Sequence, residues 1–487
     1  MILQTLWENL VETLFHAAPG KKYRILEWAG ICALFLGGLF LWGSYLNWGR
    51  GPYNFHDWEG INMPRLAFLQ DAMLKGQMPL HISEIAPLAY ATDRFLAIPD
   101  VIVSPQIVLL RFMDVGTFVL VNTWLLYALG FWGLARIRAR YHLSLIAFTL
   151  LFLLYNFNGH ILAHYTSGHI TWWSYFLYSW FGLWILELLE DGGGWRWIAK
   201  MSFLMFAIFI QGGYHQFIWG LLFLGLLGIA NRRLFWPMLK TALFSVGLGL
   251  ARILPVAMLT GKFDNGFIAG YPLTSSLWDA LTVVAIPSDV TLSGGMTRAV
   301  GMWEFTLYIG FFGAIFLLGF GTSFFARRWR ECVYTPLIVP IVGLIVLSFG
   351  KVYQYLRIAL PIPLLTGERV SSRMIILAFV IVSFVAVIEL QGWMNAHRAP
   401  IVRWSVLAGV ILIANDLWQN YRMWRITTAV SKYVTKNLDL SIYTVANHPD
   451  PAYFQMLGLG FGLLLVIAAA LIWLALRERR RELKRVH

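Results

Sequence analysis

An all-α bundle of about twelve membrane-crossing helices is the fold class this sequence predicts, and three observations predict it. The 487 residues are 59% hydrophobic and 16% aromatic but only 13% charged, with a mean hydropathy of +0.65, too apolar for a chain of this size that faces water on all sides. Apolar runs of about 17 to 23 residues, the length that crosses ~30 Å of hydrocarbon, recur from end to end. Lys and Arg gather in every second connection, the bias that keeps basic loops on the cytoplasmic side.

The spans fall at roughly 25–46, 115–135, 143–157, 171–189, 196–211, 214–230, 238–259, 305–325, 334–350, 374–391, 402–418 and 455–476. Basic clusters at Lys21/Lys22/Arg24, Arg136/Arg138/Arg140, Arg196/Lys200, Arg232/Arg233/Lys240, Arg327/Arg328/Arg330, Arg398/Arg403 and 477–485 are separated by pairs of spans, which places both termini in the cytoplasm. The formal net charge of +13 then follows from topology, and no nucleic-acid partner is expected. Residues 1–18 carry Glu8 and Glu12 and no basic start before an apolar core, so a cleaved signal is not expected. Leu3, Leu6, Leu10 and Leu14 recur there at helical spacing and predict an interfacial helix. Cys32 and Cys332 fall on opposite sides by this topology, so no disulfide is expected.

Residues 1–487 form one transmembrane domain with no soluble-domain linker. The outward connections are 47–114, 158–170, 212–213, 260–304, 351–373 and 419–454, and they hold nearly all the loop length. Loops carry chemistry, so the outer face is the expected active side. In the first of them Pro64 and Gly76 bracket a helix with Leu66, Leu69 and Met73 on one stripe and Arg65, Gln70 and Lys75 elsewhere. That pattern predicts an amphipathic interfacial helix able to roof a membrane-level cavity.

The stretch 54–60, Asn-Phe-His-Asp-Trp-Glu-Gly, follows closely on the first span and sets Asp57 and Glu59 two apart beside His56. Ionisable groups at a membrane boundary make either a solvated loop or a reaction site. Burial at such an interface would raise the pKa of an Asp toward the range of a general base for a hydroxyl. With His56 the acids could instead hold a divalent cation, magnesium or manganese, although no metal ligand is assigned. His160, His164 and His169 follow in the second outer connection, the first pair at i, i+4. No acid accompanies them, so hydrogen bonding or substrate contact is favoured over a metal site. His215 surfaces on the same side. Lys351, Arg357, Arg369 and Arg373 are the cations a lipid phosphate would need there, with snorkelling at a helix end the plainer role, favoured for Arg357. Glu304 is read as an acid at the entry of the eighth span, where the helix dipole favours it.

The order of these marks resembles the GT-C superfamily of membrane glycosyltransferases, and is closest to its bacterial YfhO-type predicted members. The resemblance rests on the Asp57-Trp58-Glu59 loop after one span, Lys75-Gly76-Gln77-Met78-Pro79-Leu80, Ser167-Gly168-His169, Ile253-Leu254-Pro255, Glu304 with Tyr308-Ile309-Gly310, and Leu360-Pro361 before Ser372-Arg373-Met374. It implies a sugar donor carried on polyprenyl phosphate and a first-loop acid that binds or deprotonates the acceptor hydroxyl, here Asp57 first and Glu59 second. Trp58 separates the two acids, a departure from the Asp-Asp, Asp-Glu or Glu-x-Asp of many relatives at this place. The expectation is therefore an inverting glycosyltransferase at the outer face of a bacterial cytoplasmic membrane, acting on a lipid, glycan or protein acceptor. His56, His160, His164, His169, His215, Glu304, Lys351, Arg369 and Arg373 are its candidate substrate contacts. The alternative is a transporter or flippase of lipid-linked sugars, for which Arg252 is the clearest in-span charge.

Overall fold

A computed structural model describes residues 9, 11–16, 23–83, 92–259, 266–284, 301–329, 332–361, 363–429 and 439–486. Its longer helices are α1 (Arg24–Tyr45), α2 (Met63–Lys75), α3 (Val115–Arg140), α4 (Leu145–Phe157), α5 (Gly159–Thr166), α6 (Tyr178–Asp191), α7 (Trp195–Ile210), α8 (Tyr214–Ala230), α9 (Phe235–Ala257), α10 (Thr274–Thr282), α11 (Gly310–Arg328), α12 (Ile338–Leu347), α13 (Gly350–Ala359), α14 (Ile375–Ala396), α15 (Pro400–Trp424) and α16 (Pro451–Val486). The described residues contain no strand, and their extended segments make only isolated bridges.

Among the described residues, eight helical segments are long and apolar enough to cross a membrane: Arg24–Tyr45, Val115–Arg140, Leu145–Thr166, Phe235–Ala257, Gly310–Arg328, Ser371–Ala396, Pro400–Trp424 and Pro451–Lys484. Each matches one of the twelve expected spans. The other expected spans fall on α6, α7, α8 and α12, which are helical but shorter. The central α4–α5 and α14 are almost wholly buried, whereas α1, α15 and α16 turn Trp28, Phe40, Trp404, Phe461, Val466 and Trp473 outward. Helices that are apolar on every side while exposed on the rim suit lipid rather than water.

The connections sort into two ends. At one, Arg138 pairs with Glu27, Arg140 with Glu190 and Asp191, and Arg328 with Glu389. Tyr141 and Tyr334 also donate to Glu190, at 2.5 and 2.6 Å. At the other end Asp57 N donates to Ser167 O at 3.0 Å, Gly159 N to Tyr308 O at 2.8 Å, Val103 N to Ile210 O at 2.9 Å, Ser83 N to Thr444 O at 3.0 Å and Ile268 N to Arg369 O at 2.9 Å. The connections expected to be basic thus meet one another, and so do the long ones. The four shorter helices run between the same two ends.

Three expectations need correction. The second long connection is not a loop: α5 continues the span after a break at Asn158, whose side chain serves both helix ends. Its Nδ2 donates to Leu154 O and Tyr155 O at 3.0 and 3.1 Å, and its Oδ1 caps Ile161 N at 3.1 Å. In α2, Pro64 and Gly76 do mark the ends, Gly76 in the left-handed conformation that a helix stop requires. Yet Arg65 is as buried as Leu66 and Leu69, because it pairs with Asp100 at 3.1 Å. Packing inside its own loop, not a clean polar and apolar split, fixes that helix. Finally, Glu304 does not cap α11; it sits in a separate one-turn helix, Met302–Glu304, ahead of Gly310. Most of 1–18, including Leu3, Leu6 and Leu10, lies outside the described residues; 11–15 are helical.

Candidate active site

Two chain segments are joined to build the site. His56 adopts a left-handed φ of 50°, which turns the chain into the five-residue π-turn Trp58–Asn62 and then α2. Opposite it, Gly168 holds φ at +90°, and a Cβ there would lie 2.2 Å from Trp58 N. Only glycine fits that approach. The buried Trp58 donates its Nε1 to Tyr165 O at 2.9 Å, and Asn62 Nδ2 donates to Gly168 O at 2.5 Å.

Between these segments the Asp57 carboxylate is held from both sides. His56 Nδ1 stands 3.0 Å from Oδ1, and His169 Nε2 stands 3.1 Å from Oδ2. A carboxylate accepts, so both imidazoles donate. That leaves His169 Nδ1 as acceptor for His164 Nδ1 at 2.5 Å. His160 Nδ1 donates to Thr306 O at 3.2 Å, and the Nε2 atoms of His160 and His164 are buried without a hydrogen-bond partner. The Trp172 ring stacks on His164 at 4.4 Å and meets His160 edge-on at 4.5 Å. Behind His169, Glu304 Oε1 lies 3.9 Å from Nε2, and the Arg373 guanidinium grips both Glu304 oxygens.

Electrostatics follow from this arrangement. Burial alone would raise the Asp57 carboxyl, but the charges and hydrogen bonds of His169 and His56 outweigh it and hold Asp57 well below the usual carboxylate range. This corrects the expectation that burial would lift Asp57 toward a base. Burial would lower His56, yet the hydrogen bond and charge of Asp57, helped by Glu304, raise it above its usual value of 6.5. Glu304, which burial would also raise, is kept low by Arg373 and His169. His56 is 39% exposed and packs against Trp303 at 4.7 Å. The site therefore presents an accessible imidazole oriented by an ionised carboxylate, an arrangement suited to proton transfer near neutral pH.

A second cluster stands beside it. His215 Nδ1 and Trp219 Nε1 both reach Glu368 Oε2, at 3.0 and 2.8 Å, and Val370 N donates to Oε1 at 3.0 Å. Burial would raise Glu368, but the charge and hydrogen bond of His215, the charge of Arg373 and the hydrogen bond from Val370 N lower it. Trp219 lies 5.7 Å from Trp172, their rings tilted against each other, and this contact links the two clusters. Glu368, Trp172 and Trp303 were not singled out by the sequence.

Of the expected residues, His56, Asp57, His160, His164, His169, Glu304 and Arg373 come together. His215 joins the second cluster. Glu59, half-buried, takes part in neither; Lys351 is exposed at the start of α13; and Arg369 directs Nε toward Gly266 O at 3.3 Å. Among the described residues around this site, the donor sets near enough to share one metal ion are His56–Asp57–His169 and His164–His169–Glu304, neither including Glu59. Comparison with protein-family models, curated proteins and solved structures returns no match for this chain.

Proposed function

We propose that this chain is a GT-C-type inverting glycosyltransferase that moves a sugar from a polyprenyl-phosphate donor to an acceptor hydroxyl at the outer face of a bacterial cytoplasmic membrane. The observation that carries this reading is the half-exposed His56–Asp57 pair, braced by His169, Glu304 and Arg373 at the end where the long, mainly non-basic connections gather. In this scheme twelve helices cross the bilayer and that end faces outward. Asp57 orients His56, and His56 Nε2 takes the acceptor proton. The acceptor oxygen attacks the anomeric carbon as its bond to phosphate breaks, and the lipid phosphate leaves with the electron pair. Arg373 is bound to Glu304, so it braces the site instead of meeting that phosphate. The phosphate falls to Lys351 and Arg369 at the neighbouring loops.

The transporter reading loses its main in-span charge. Arg252 is buried and donates to the backbone carbonyls of Leu96 and Ile98, the latter at 2.7 Å, so it fastens the first loop to α9. The test is transfer from polyprenyl-phosphate sugars by the purified full chain in detergent. Sugar transfer by the native chain, lost in His56→Gln and Asp57→Asn, is the expected result. Full transfer by Asp57→Asn overturns the assignment.

A further inference from the structure

A second group of ionisable side chains lies away from Asp57, where three chain segments run side by side. Ile82 N donates to Asp93 O at 2.8 Å, while Ala446 N donates to His81 O and His81 N to Asn447 Oδ1, both at 3.0 Å. On this framework the His81 and His448 rings face each other with centroids 4.0 Å apart. One nitrogen from each ring and one carboxylate oxygen of Asp93 lie within 4.8 Å of one another.

We propose that His81, Asp93 and His448 bind zinc or a similar borderline divalent cation, which fastens the segment leading into α16 to the first long loop. Two imidazoles and a carboxylate are a zinc donor set, and the half-exposed His448 leaves room for water as the remaining ligand. Two details of the hydrogen bonding support it. His448 Nε2 stands 2.7 Å from Asp93 Oδ2, so the imidazole donates to the carboxylate there. A cation that displaces this proton finds an imidazole nitrogen and a carboxylate oxygen already side by side.

The second detail concerns His81, which is fully buried. Its Nε2 faces Asp450 Oδ2 at 3.5 Å, and its Nδ1 has no hydrogen-bond partner. Asp450 is fixed in turn by Arg94 Nε and Nη2 at 2.6 and 3.1 Å, and its Oδ1 accepts from Tyr453 N in the first turn of α16. A carboxylate behind one ring nitrogen is the support that ligating histidines commonly have, since it sets the tautomer and leaves the other nitrogen to the metal. Because the three ligands come from separate segments, a bound ion ties the start of α16 to His81 and Asp93.

The experiment is zinc titration of the full chain in detergent after chelator treatment, with bound zinc counted by equilibrium dialysis. The His56 cluster is a separate donor set, so the variants compared are His448→Gln, Asp93→Asn and His56→Gln. Removing a partner behind a ligand weakens metal binding by about 10- to 100-fold, so losing a ligand should weaken one site by at least about 100-fold. His448→Gln and Asp93→Asn are expected to lose that one equivalent, and His56→Gln to keep it. Zinc should also raise the unfolding midpoint of the native chain and of His56→Gln, but not of His448→Gln. Equal zinc binding by the native chain and His448→Gln, or no saturable binding at all, overturns the proposal and leaves His448–Asp93 as an ion pair.

Discussion

Asp57 and His169 meet carboxylate to imidazole at 3.1 Å, and through that contact the first long loop is tied to the buried histidines that follow α4. His169 has two neighbours of opposite effect. It donates to Asp57 and accepts from His164, so a hydrogen-bond chain runs from Asp57 to the fully buried His164, on which the Trp172 ring stacks. Glu304, beside the same nitrogen, repels Asp57, and the grip of Arg373 outweighs that repulsion. Two carboxylates therefore stay ionised near one another because each has its own donors.

The acids of the first loop should separate cleanly on mutation. Asp57 carries two imidazole contacts, and Glu59 has no hydrogen-bond or ion-pair partner among the described residues. Asp57→Asn should lower sugar transfer by about 10²- to 10⁴-fold, the reach of acid–base catalysis, because His56 loses the carboxylate that orients it, while Glu59→Gln keeps most of it. Turnover of a lipid-phosphate sugar by the purified variants decides the matter; equal losses would return the base to either acid.

His56 should titrate above 6.5, because its bond to Asp57 favours the imidazolium. The sign is that of a raised group: the stability contributed by the pair is complete below the unfolded-state value and is lost as pH rises through the folded value. Transfer that needs neutral His56 should run the opposite way, rising with pH through that same value to a plateau. In Asp57→Asn the His56 titration should move down, as followed by NMR of the labelled imidazole. An unmoved midpoint would show that Asp57 does not hold the ring.

The Glu304–Arg373 pair is buried, so removing one partner should cost more than removing both. Glu304→Gln or Arg373→Met leaves a lone ion and should destabilise by about 3–5 kcal/mol, with the double variant recovering part of that loss. Unfolding in detergent, arranged as a double-mutant cycle, measures the coupling. Additive losses would mean that the pair bears no mutual load.

How much of this was readable in the sequence depended on whether the signal was local. The eight long spans announced themselves by unbroken apolar runs, and the basic clusters sorted the connections into the two groups that meet at opposite ends. Local signals misled at Asn158-Gly159, which reads as a helix break and a loop. Asn158 satisfies both helix ends at once, so the chain bends and carries His160 and His164 into the core. Arg65 misled for the opposite reason: its stripe looks polar, and only Asp100, distant in sequence, explains its burial. Glu368 carries no local signal because its partners, His215 and Trp219, lie about 150 residues away. Asp57, His169, Glu304 and Arg373 were each selected individually, but nothing local shows that His169 stands between the two acids.

Gly168 offers the most direct test of how the site is assembled. Its φ of +90° disfavours any side chain, and an added Cβ would lie 2.2 Å from Trp58 N and 2.8 Å from the Asp57 carbonyl carbon. Backbone cannot swing aside as a flexible side chain can. Gly168→Ala should therefore push the 55–58 segment away from Ser167, break the Asp57 N to Ser167 O bond and cost more than about 1 kcal/mol of stability. Because Asp57 would withdraw from His169, transfer should fall with it. Gly60→Ala is the matched control in the same loop, since nothing lies within 4 Å of a Cβ there, and its effect should stay within about 0.5 kcal/mol. Thermal unfolding and transfer rates of the two variants read both effects. A Gly168→Ala chain as stable and active as Gly60→Ala would mean that the two segments need not be this close for the site to work.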